Sequence, residues 1–122
     1  MALHNELGAW GEKVAREYLL CHGYAIGGEN TRIGNYEIDF IAEKDGMIVF
    51  VEVKTRSTHF ADPLEAVDSR KQARLVRAAD EYIRAKNIKL EPRFDVITVI
   101  GSPEHFEIEH FPDAFFPPLT NR

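Results

Sequence analysis

At 122 residues, with 44% hydrophobic and 29% charged residues, the chain has the size and composition of one soluble globular domain with a substantial core. A lone cysteine, Cys21, excludes an internal disulfide and a cysteine-rich zinc site, and the five histidines show no metal-binding spacing. The net charge of −5 argues against a simple nucleic-acid binder, but residues 70–93 hold eight basic and three acidic side chains, so a local positive field survives the total.

No apolar run approaches the ~18 residues of a membrane span. Met1-Ala2-Leu3-His4-Asn5-Glu6 has neither a basic flank nor an apolar block. No signal peptide is therefore expected, and a cytoplasmic location follows by default. There is no internal repeat or linker, so residues 1–122 are expected to form a single domain with an extended tail over 112–122.

Residues from about Asn5 to His22 read as the first helix. Leu7, Gly11, Val14, Tyr18 and His22 fall on one face, with Trp10 and Ala15 at its margins. Gly23 suits the C-terminal stop. Glu12 lies at the border of the apolar face. A carboxylate there is either an ordinary solvated glutamate or one that lies against whatever the helix covers. Tyr24-Ala25-Ile26 begins a strand, and Gly27-Gly28 signals a bulge. Thr31 to Asn35 reads as a loop containing Arg32.

Tyr36 to Lys54 reads as two strands joined by a tight turn at Asp45-Gly46. A two-residue loop makes Lys44 face Met47, so each cross-strand pair sums to 91. Asp39 then opposes Glu52 and Glu37 opposes Lys54, all on one face. Directly opposed Cβ atoms are roughly 4.5–5.5 Å apart. Two carboxylates that close repel unless a cation or a shared proton lies between them. A three-residue loop or a bulge would break this pairing. In the second strand, Val49, Val51 and Val53 point one way, and Ile48, Phe50, Glu52 and Lys54 the other. Both faces are mainly apolar, as in a central strand covered on both sides, so Glu52 is at least partly buried and needs a partner.

Thr55 to Ala61 reads as a polar loop, and Asp62-Pro63 as a helix start. Asp68-Ser69 opens the second long helix, which runs to about Lys86. Leu75, Val76, Ala79, Tyr82 and Ile83 form its buried stripe. Arg70, Arg74, Arg77 and Arg84 form a stripe on another face, and Lys71 borders the apolar side. The arginine stripe is either a solvated face or a set of phosphate contacts. Arg93 to Ile100 is a strand, Gly101 to Glu104 a turn, and His105 to Phe111 an edge strand. The aromatic and proline-rich tail from Phe111 to Pro118 is expected to pack in extended form on the body. The order is α-β-β-β-α-β-β, an α/β fold with a mixed sheet flanked by helices and the hairpin's charged face near the first helix.

Asp39, a hairpin's length of chain, then Glu52-Val53-Lys54 matches the PD-(D/E)xK nuclease motif. Glu-x-Lys alone is a very weak signal. An aspartate set opposite it by a hairpin within apolar strands is a more specific one. Hard carboxylate oxygens suit Mg²⁺ or Mn²⁺. Such a cation activates water and offsets charge on a phosphate. Asp39 and Glu52 are the expected metal ligands, with the Val53 carbonyl as a further one. Lys54 would orient water or stabilise developing negative charge.

The chain resembles the YraN-like family of small bacterial proteins, itself similar to archaeal Holliday junction resolvases. The likeness runs over roughly residues 8–100. It includes Gly11-Glu12, Gly23-Tyr24, Asn30 with Arg32, Glu37-Ile38-Asp39, Phe50-Val51-Glu52-Val53-Lys54-Thr55-Arg56, Lys71 and Arg93-Phe94-Asp95-Val96. Where the family usually has Gly before the Glu-Ile-Asp triplet, this chain has Tyr36. The resemblance implies a restriction-endonuclease-like fold and carries over Glu12, Asp39, Glu52 and Lys54 as the catalytic set. It implies a Mg²⁺-dependent DNA endonuclease acting on branched or structured DNA, and a homodimer by analogy with the resolvases. Arg32, Arg56, Arg70, Lys71, Arg74 and Arg77 would contact phosphates. The alternatives are a non-catalytic nucleic-acid-binding module and a protein-interaction scaffold that uses the aromatic tail.

Overall fold

The computed structural model describes residues 2–57 and 69–114. Helix α1 (Ala2–Cys21) precedes three strands, β1 (Ala25–Ile33), β2 (Tyr36–Lys44) and β3 (Met47–Arg56). Helix α2 (Ser69–Lys86) then leads to β4 (Glu91–Ser102) and β5 (His105–Phe111). The five strands form one sheet in sequence order. β3 and β4 pair in parallel, the pair that a crossover through α2 requires, and the other neighbours are antiparallel. This is the mixed-sheet architecture of the restriction-endonuclease-like fold, in the expected element order.

Two apolar layers hold the helices to the sheet. On one face Ala15 and Leu19 of α1 pack on Phe40, Ala42, Val49, Val51, Ile97 and Val99. On the other Leu75, Ala78 and Ala79 of α2 pack on Ile38, Ile41, Ile48, Phe50, Phe94 and Val96. Full burial of a side chain such as Leu19 or Leu75 contributes about 1.5–3 kcal/mol. β3 is covered on both faces, as its runs of Val and Ile require. The buried line of α1 is Gly11, Ala15 and Leu19, while His22 is exposed. The apolar stripe is thus centred about one position from where its periodicity pointed.

Turn chemistry fixes the strand ends. Asp45 and Gly46 have φ of 52° and 77°, both positive, as a two-residue I′ hairpin demands. The first hairpin also turns in two residues, Gly34 and Asn35, between the paired Ile33 and Tyr36. Its glycine has φ of 60° at the first turn position, where a II′ turn places one. β1 therefore runs through Thr31, Arg32 and Ile33, and Arg32 is on a strand rather than in a loop. The expected bulge is present as a register shift between Ile26 and Gly28. Helix α1 ends with Tyr24 N–H donating to Leu19 O and Gly23 N–H to Leu20 O, with Gly23 at φ 86°. That pair of bonds satisfies carbonyls the helix leaves open.

The start of α2 at Asp68 and the Asp62-Pro63 cap lie outside the described residues, as does the tail beyond Ala114. At the tail's root, Ala114 N–H donates to Phe94 O at 2.7 Å, which ties that end of the described chain to β4.

Candidate functional site

The β2–β3 ladder keeps the sum-of-91 register from Lys44↔Met47 to Phe40↔Val51 and ends there. Asp39 and Glu52 would be the next pair, so they flank the point where the two strands part. Glu37 and Lys54 lie beyond it, and neither opposition expected from a continuous ladder is formed. A local irregularity in β2 accounts for this. Ile38 faces the α2 layer, whereas Phe40 and Ala42 face the α1 layer. A regular strand would put all three on one side. The phase changes at Asp39. On the other edge the β1 ladder skips the same position, and the facing Asn30 has φ of 48°.

Because the ladder stops, the amide of Val53 has no β2 carbonyl to meet. It donates instead to Asp39 Oδ2 at 2.8 Å. The Asp39 carboxylate thus fills the fork. An extended residue points its N–H and C=O to the same side. The Val53 carbonyl therefore faces the fork as well.

Glu52 follows the alternation of β3 and lies on the α2 side, with Phe50. There Tyr36 OH donates to Glu52 Oε1 at 3.2 Å. The first helix is not its main neighbour, contrary to the sequence expectation. The Lys71 ammonium on α2 favours the ionised form of Glu52, and Lys54 adds to it. On the α1 side, Glu12 lines a cleft of about 220 Å³ with Leu7, Gly8, Val53, Lys54 and Thr55. Gly11 is what brings α1 this close. A Cβ there would sit 2.1 Å from Thr55 Oγ1.

The electrostatics follow from burial. Desolvation, then the Glu52 charge, push the Asp39 carboxyl up to about 8, against the Val53 hydrogen bond, with Glu12 and Glu37 adding repulsion. Burial also raises Glu52, partly offset by Lys71, Tyr36 and Lys54. Burial and the Glu52 carboxylate raise Tyr36, so its phenol stays protonated and donates.

Asp39 and Glu52 therefore flank the fork, while Glu12 lies in the cleft on the α1 side, and the carboxylates do not form a cage. Among the described residues, no three His, Cys, Asp or Glu side chains gather closely enough to hold a metal ion. Glu12 acts on Asp39 and Glu52 through its charge. The donor set still fits Mg²⁺. That ion is commonly held by one or two carboxylates, keeps several waters, and does not need an all-protein cage. Two half-buried carboxylates with raised pKa values are groups that a divalent cation would relieve.

The basic candidates separate. Lys71 faces Glu52. Arg74 and Arg77 are exposed and line a groove of about 300 Å³ with Gly34, Asn35 and Tyr36. Arg84 is ion-paired with Asp80, so part of the stripe is neutralised on the helix itself. Arg70 is exposed in the first turn of α2, Arg32 is exposed on β1, and Arg56 is half-buried at the last residue of β3.

Two participants had no role assigned from sequence. Tyr36 was visible only as a departure from glycine. The signal for it is that a half-buried phenol needs a hydrogen-bond partner. Asp95 is fully buried on β4. It accepts from Arg93 Nε at 2.9 Å and Nη2 at 2.8 Å, lies 2.7 Å from His110 Nε2, and accepts from Asp113 N–H at 3.0 Å. Arg93 also donates to Tyr24 OH at 2.7 Å, and Tyr18 OH is 3.1 Å from His110 Nδ1. The rule that gave Glu52 a partner applies equally to an aspartate within Phe94-Asp95-Val96-Ile97.

Over residues 11–99, a span that contains Glu12, Asp39, Glu52 and Lys54, the chain matches the family described as "Uncharacterised protein family UPF0102". It is 53% identical over 120 residues to a UPF0102 protein of Bacteroides thetaiotaomicron, covering 98% of this chain and 99% of that one. A UPF0102 protein of Flavobacterium psychrophilum is 44% identical over 117 residues, 95% and 98% of the two chains. One from Syntrophotalea carbinolica is 43% identical over 111 residues, 89% and 90%. Among the described residues no helix is long and apolar enough to cross a membrane. The chain belongs to the UPF0102 family, the YraN-like family that its motifs resemble.

Proposed function

We propose that this protein is a Mg²⁺-dependent endonuclease that hydrolyses DNA phosphodiester bonds, with branched or otherwise structured DNA as its substrate. One observation carries the reading. Asp39 and Glu52, both with raised pKa values, flank a fork where a backbone amide fixes one carboxylate and a phenol fixes the other. When bound, Mg²⁺ or Mn²⁺ supplies Lewis acidity, which makes water a better nucleophile and offsets charge on the phosphate. Asp39, Glu52 and the Val53 carbonyl provide the hard oxygens for it. Lys71 helps keep Glu52 ionised. Lys54, one pleat beyond Glu52 and close enough for its charge to act on it, stabilises negative charge that develops on the phosphate. Glu12 adds a third negative charge across the fork and helps attract the cation. Arg32, Arg56, Arg70, Arg74 and Arg77 contact backbone phosphates. Homodimerisation is part of the proposal, by analogy with the resolvases.

A nicking assay on junction, flap and linear DNA with Mg²⁺ or Mn²⁺ tests this. Cleavage by wild type and its loss in Asp39→Ala is the expected result. No cleavage of any substrate, or equal cleavage by Asp39→Ala, would overturn it. A non-catalytic DNA-binding module is the second reading, and one observation favours it: Glu12 does not join the other two carboxylates in a closed ligand group. Mn²⁺ binding that disappears in Asp39→Asn and Glu52→Gln would speak for the first reading, and DNA binding without any metal site for the second.

A further inference from the structure

The groove on the α2 side is separate from the cleft that holds Glu12 and Lys54. Its walls are the Gly34-Asn35 turn and Tyr36 on one side and Arg74, Arg77 and Glu81 of α2 on the other. Tyr36 joins it to the carboxylates, since the same residue that lines the groove donates its OH to Glu52. A chain lying in the groove is therefore one residue's width from the fork. Arg74 is also close enough for its charge to act on the Tyr36 phenol. The guanidinium charge thus reaches the inner end of the groove.

Size and charge limit what fits. A volume of about 300 Å³ is at the small end of ligand sites and accepts one nucleotide unit, not the two backbones of a duplex. Two arginines and one glutamate give the walls a net charge of +1, which matches a single phosphodiester. Arg84, two turns beyond Arg77, is already paired with Asp80, which offsets its charge. The surface continues along α2 past Arg77, but there Asp80 and Glu81 balance Arg77 and Arg84.

We propose that this groove is a single-strand subsite. It seats the phosphate next to the scissile one on Arg74 and Arg77, so the site's substrates are DNAs with an unpaired strand beside the bond that is cut. The proposal deepens the nuclease reading and rests on it for the position of the scissile phosphate. Arginine forks bind phosphate in fixed geometry, and removal of one charged contact weakens binding about tenfold.

The test is fluorescence anisotropy with a labelled short oligo(dT) in EDTA, so that neither metal nor cleavage is needed, on the wild-type chain and on Arg74→Ala, Arg77→Ala and Arg84→Ala. All three arginines are exposed, so the variants fold. Arg74→Ala and Arg77→Ala are each expected to weaken binding about tenfold and to lower the slope of log K against log salt by about 0.7. Arg84→Ala should change it less than about twofold, and a duplex of the same length should compete at least about tenfold less well. Equal losses in Arg84→Ala and Arg74→Ala, equal competition by duplex, or no binding of oligo(dT) at low salt would overturn the proposal. The two readings fail separately. Binding as expected without cleavage of any DNA leaves the subsite and removes the nuclease. Cleavage of junctions with Arg74→Ala and Arg77→Ala binding like wild type leaves the nuclease and removes the subsite.

Discussion

Asp39 takes the backbone amide of Val53 at 2.8 Å, across a gap where the β2–β3 ladder has just ended. One hydrogen bond thus does two things. It satisfies a strand amide that would otherwise be open, and it fixes the rotamer of a carboxylate beside Glu52. The cost is electrostatic. Two acids are held partly buried with less positive charge than they need, and that cost gives the site measurable signatures.

The first is a stability that falls as pH rises. Asp39 is raised from 3.8 to about 8, by burial first and by Glu52 second. A carboxyl whose folded pKa lies above its unfolded value binds a proton more tightly in the folded state. Its contribution is complete below about pH 4 and is lost as pH rises through about 8. We predict that Tm of the metal-free protein declines over that window. Asp39→Asn should flatten the decline and raise Tm at pH 8 by roughly 4–8 °C. Mg²⁺ should raise Tm at pH 8 in wild type and not in the variant. A flat wild-type profile, with no gain from Asp39→Asn, would refute the account.

A second prediction concerns the seat of α1. At Gly11 any side chain meets Thr55, with Oγ1 2.1 Å and both Cβ and Cγ2 3.2 Å from the added Cβ. We expect Gly11→Ala to destabilise by about 1–3 kcal/mol through overpacking, to be read from urea denaturation. Thr55→Ala removes Oγ1 and Cγ2 but keeps Cβ, so Gly11→Ala with Thr55→Ala should recover most, not all, of the loss. Simple additivity of the two single changes would show that the contact is not the cause.

The sequence was legible where structure is local. Asp45-Gly46 dictates its turn through two positive φ values, and that turn dictates the register as far as Phe40 and Val51. Where the ladder stops is not local. It depends on Asn30, on a different strand, and on a phase change at Asp39 that no period-two pattern reveals. The hairpin's turn and near register were therefore readable, while the mutual geometry of the candidate residues was not. Glu52 was placed near the first helix because hairpin alternation cannot say which helix covers which face; Lys71 and Tyr36 put it on the α2 side. The Asp95 cluster stayed hidden for a related reason. Its partners Tyr18, Tyr24 and His110 come from α1, the α1–β1 connection and β5, and only the folded sheet brings them together.

Asp95 supplies the third prediction, opposite in sign to the first. Burial opposes its ionisation, but hydrogen bonds from His110, Arg93 and the Asp113 amide outweigh it and lower the carboxyl below its ordinary 3.8. Its stabilisation is present above the unfolded value and is lost as pH falls through the lower folded one. Asp95→Ala leaves the largely buried Arg93 guanidinium without its carboxylate partner, and we expect a cost of about 3–5 kcal/mol. Asp95→Asn should cost less, since the amide oxygen still accepts, and should remove the acid-side loss. Because Asp113 N–H and His110 both meet this carboxylate, amide exchange in β5 should quicken first in Asp95→Asn. Protection of β5 unchanged from wild type would mean that the cluster does not hold the edge strand.

The last prediction isolates Tyr36. Its phenol donates to Glu52 at 3.2 Å and, being raised by burial and by that carboxylate, keeps its proton across the working pH range. The hydroxyl has no role in the proposed chemistry except to orient Glu52, which makes it a positioning residue. Partners that orient a metal-binding carboxylate usually matter about 10–100-fold to metal affinity. This one is long and partly exposed, so the lower end applies. We expect Tyr36→Phe to weaken Mn²⁺ binding about tenfold by calorimetry. Its ring still packs against the α2 layer, so thermal stability without metal should change little. The split between the two readouts decides the matter. Equal loss of stability and metal affinity would make Tyr36 a packing residue. Unchanged Mn²⁺ affinity would mean that Glu52 holds its position without the phenol, through the charge of Lys71 and Lys54 alone.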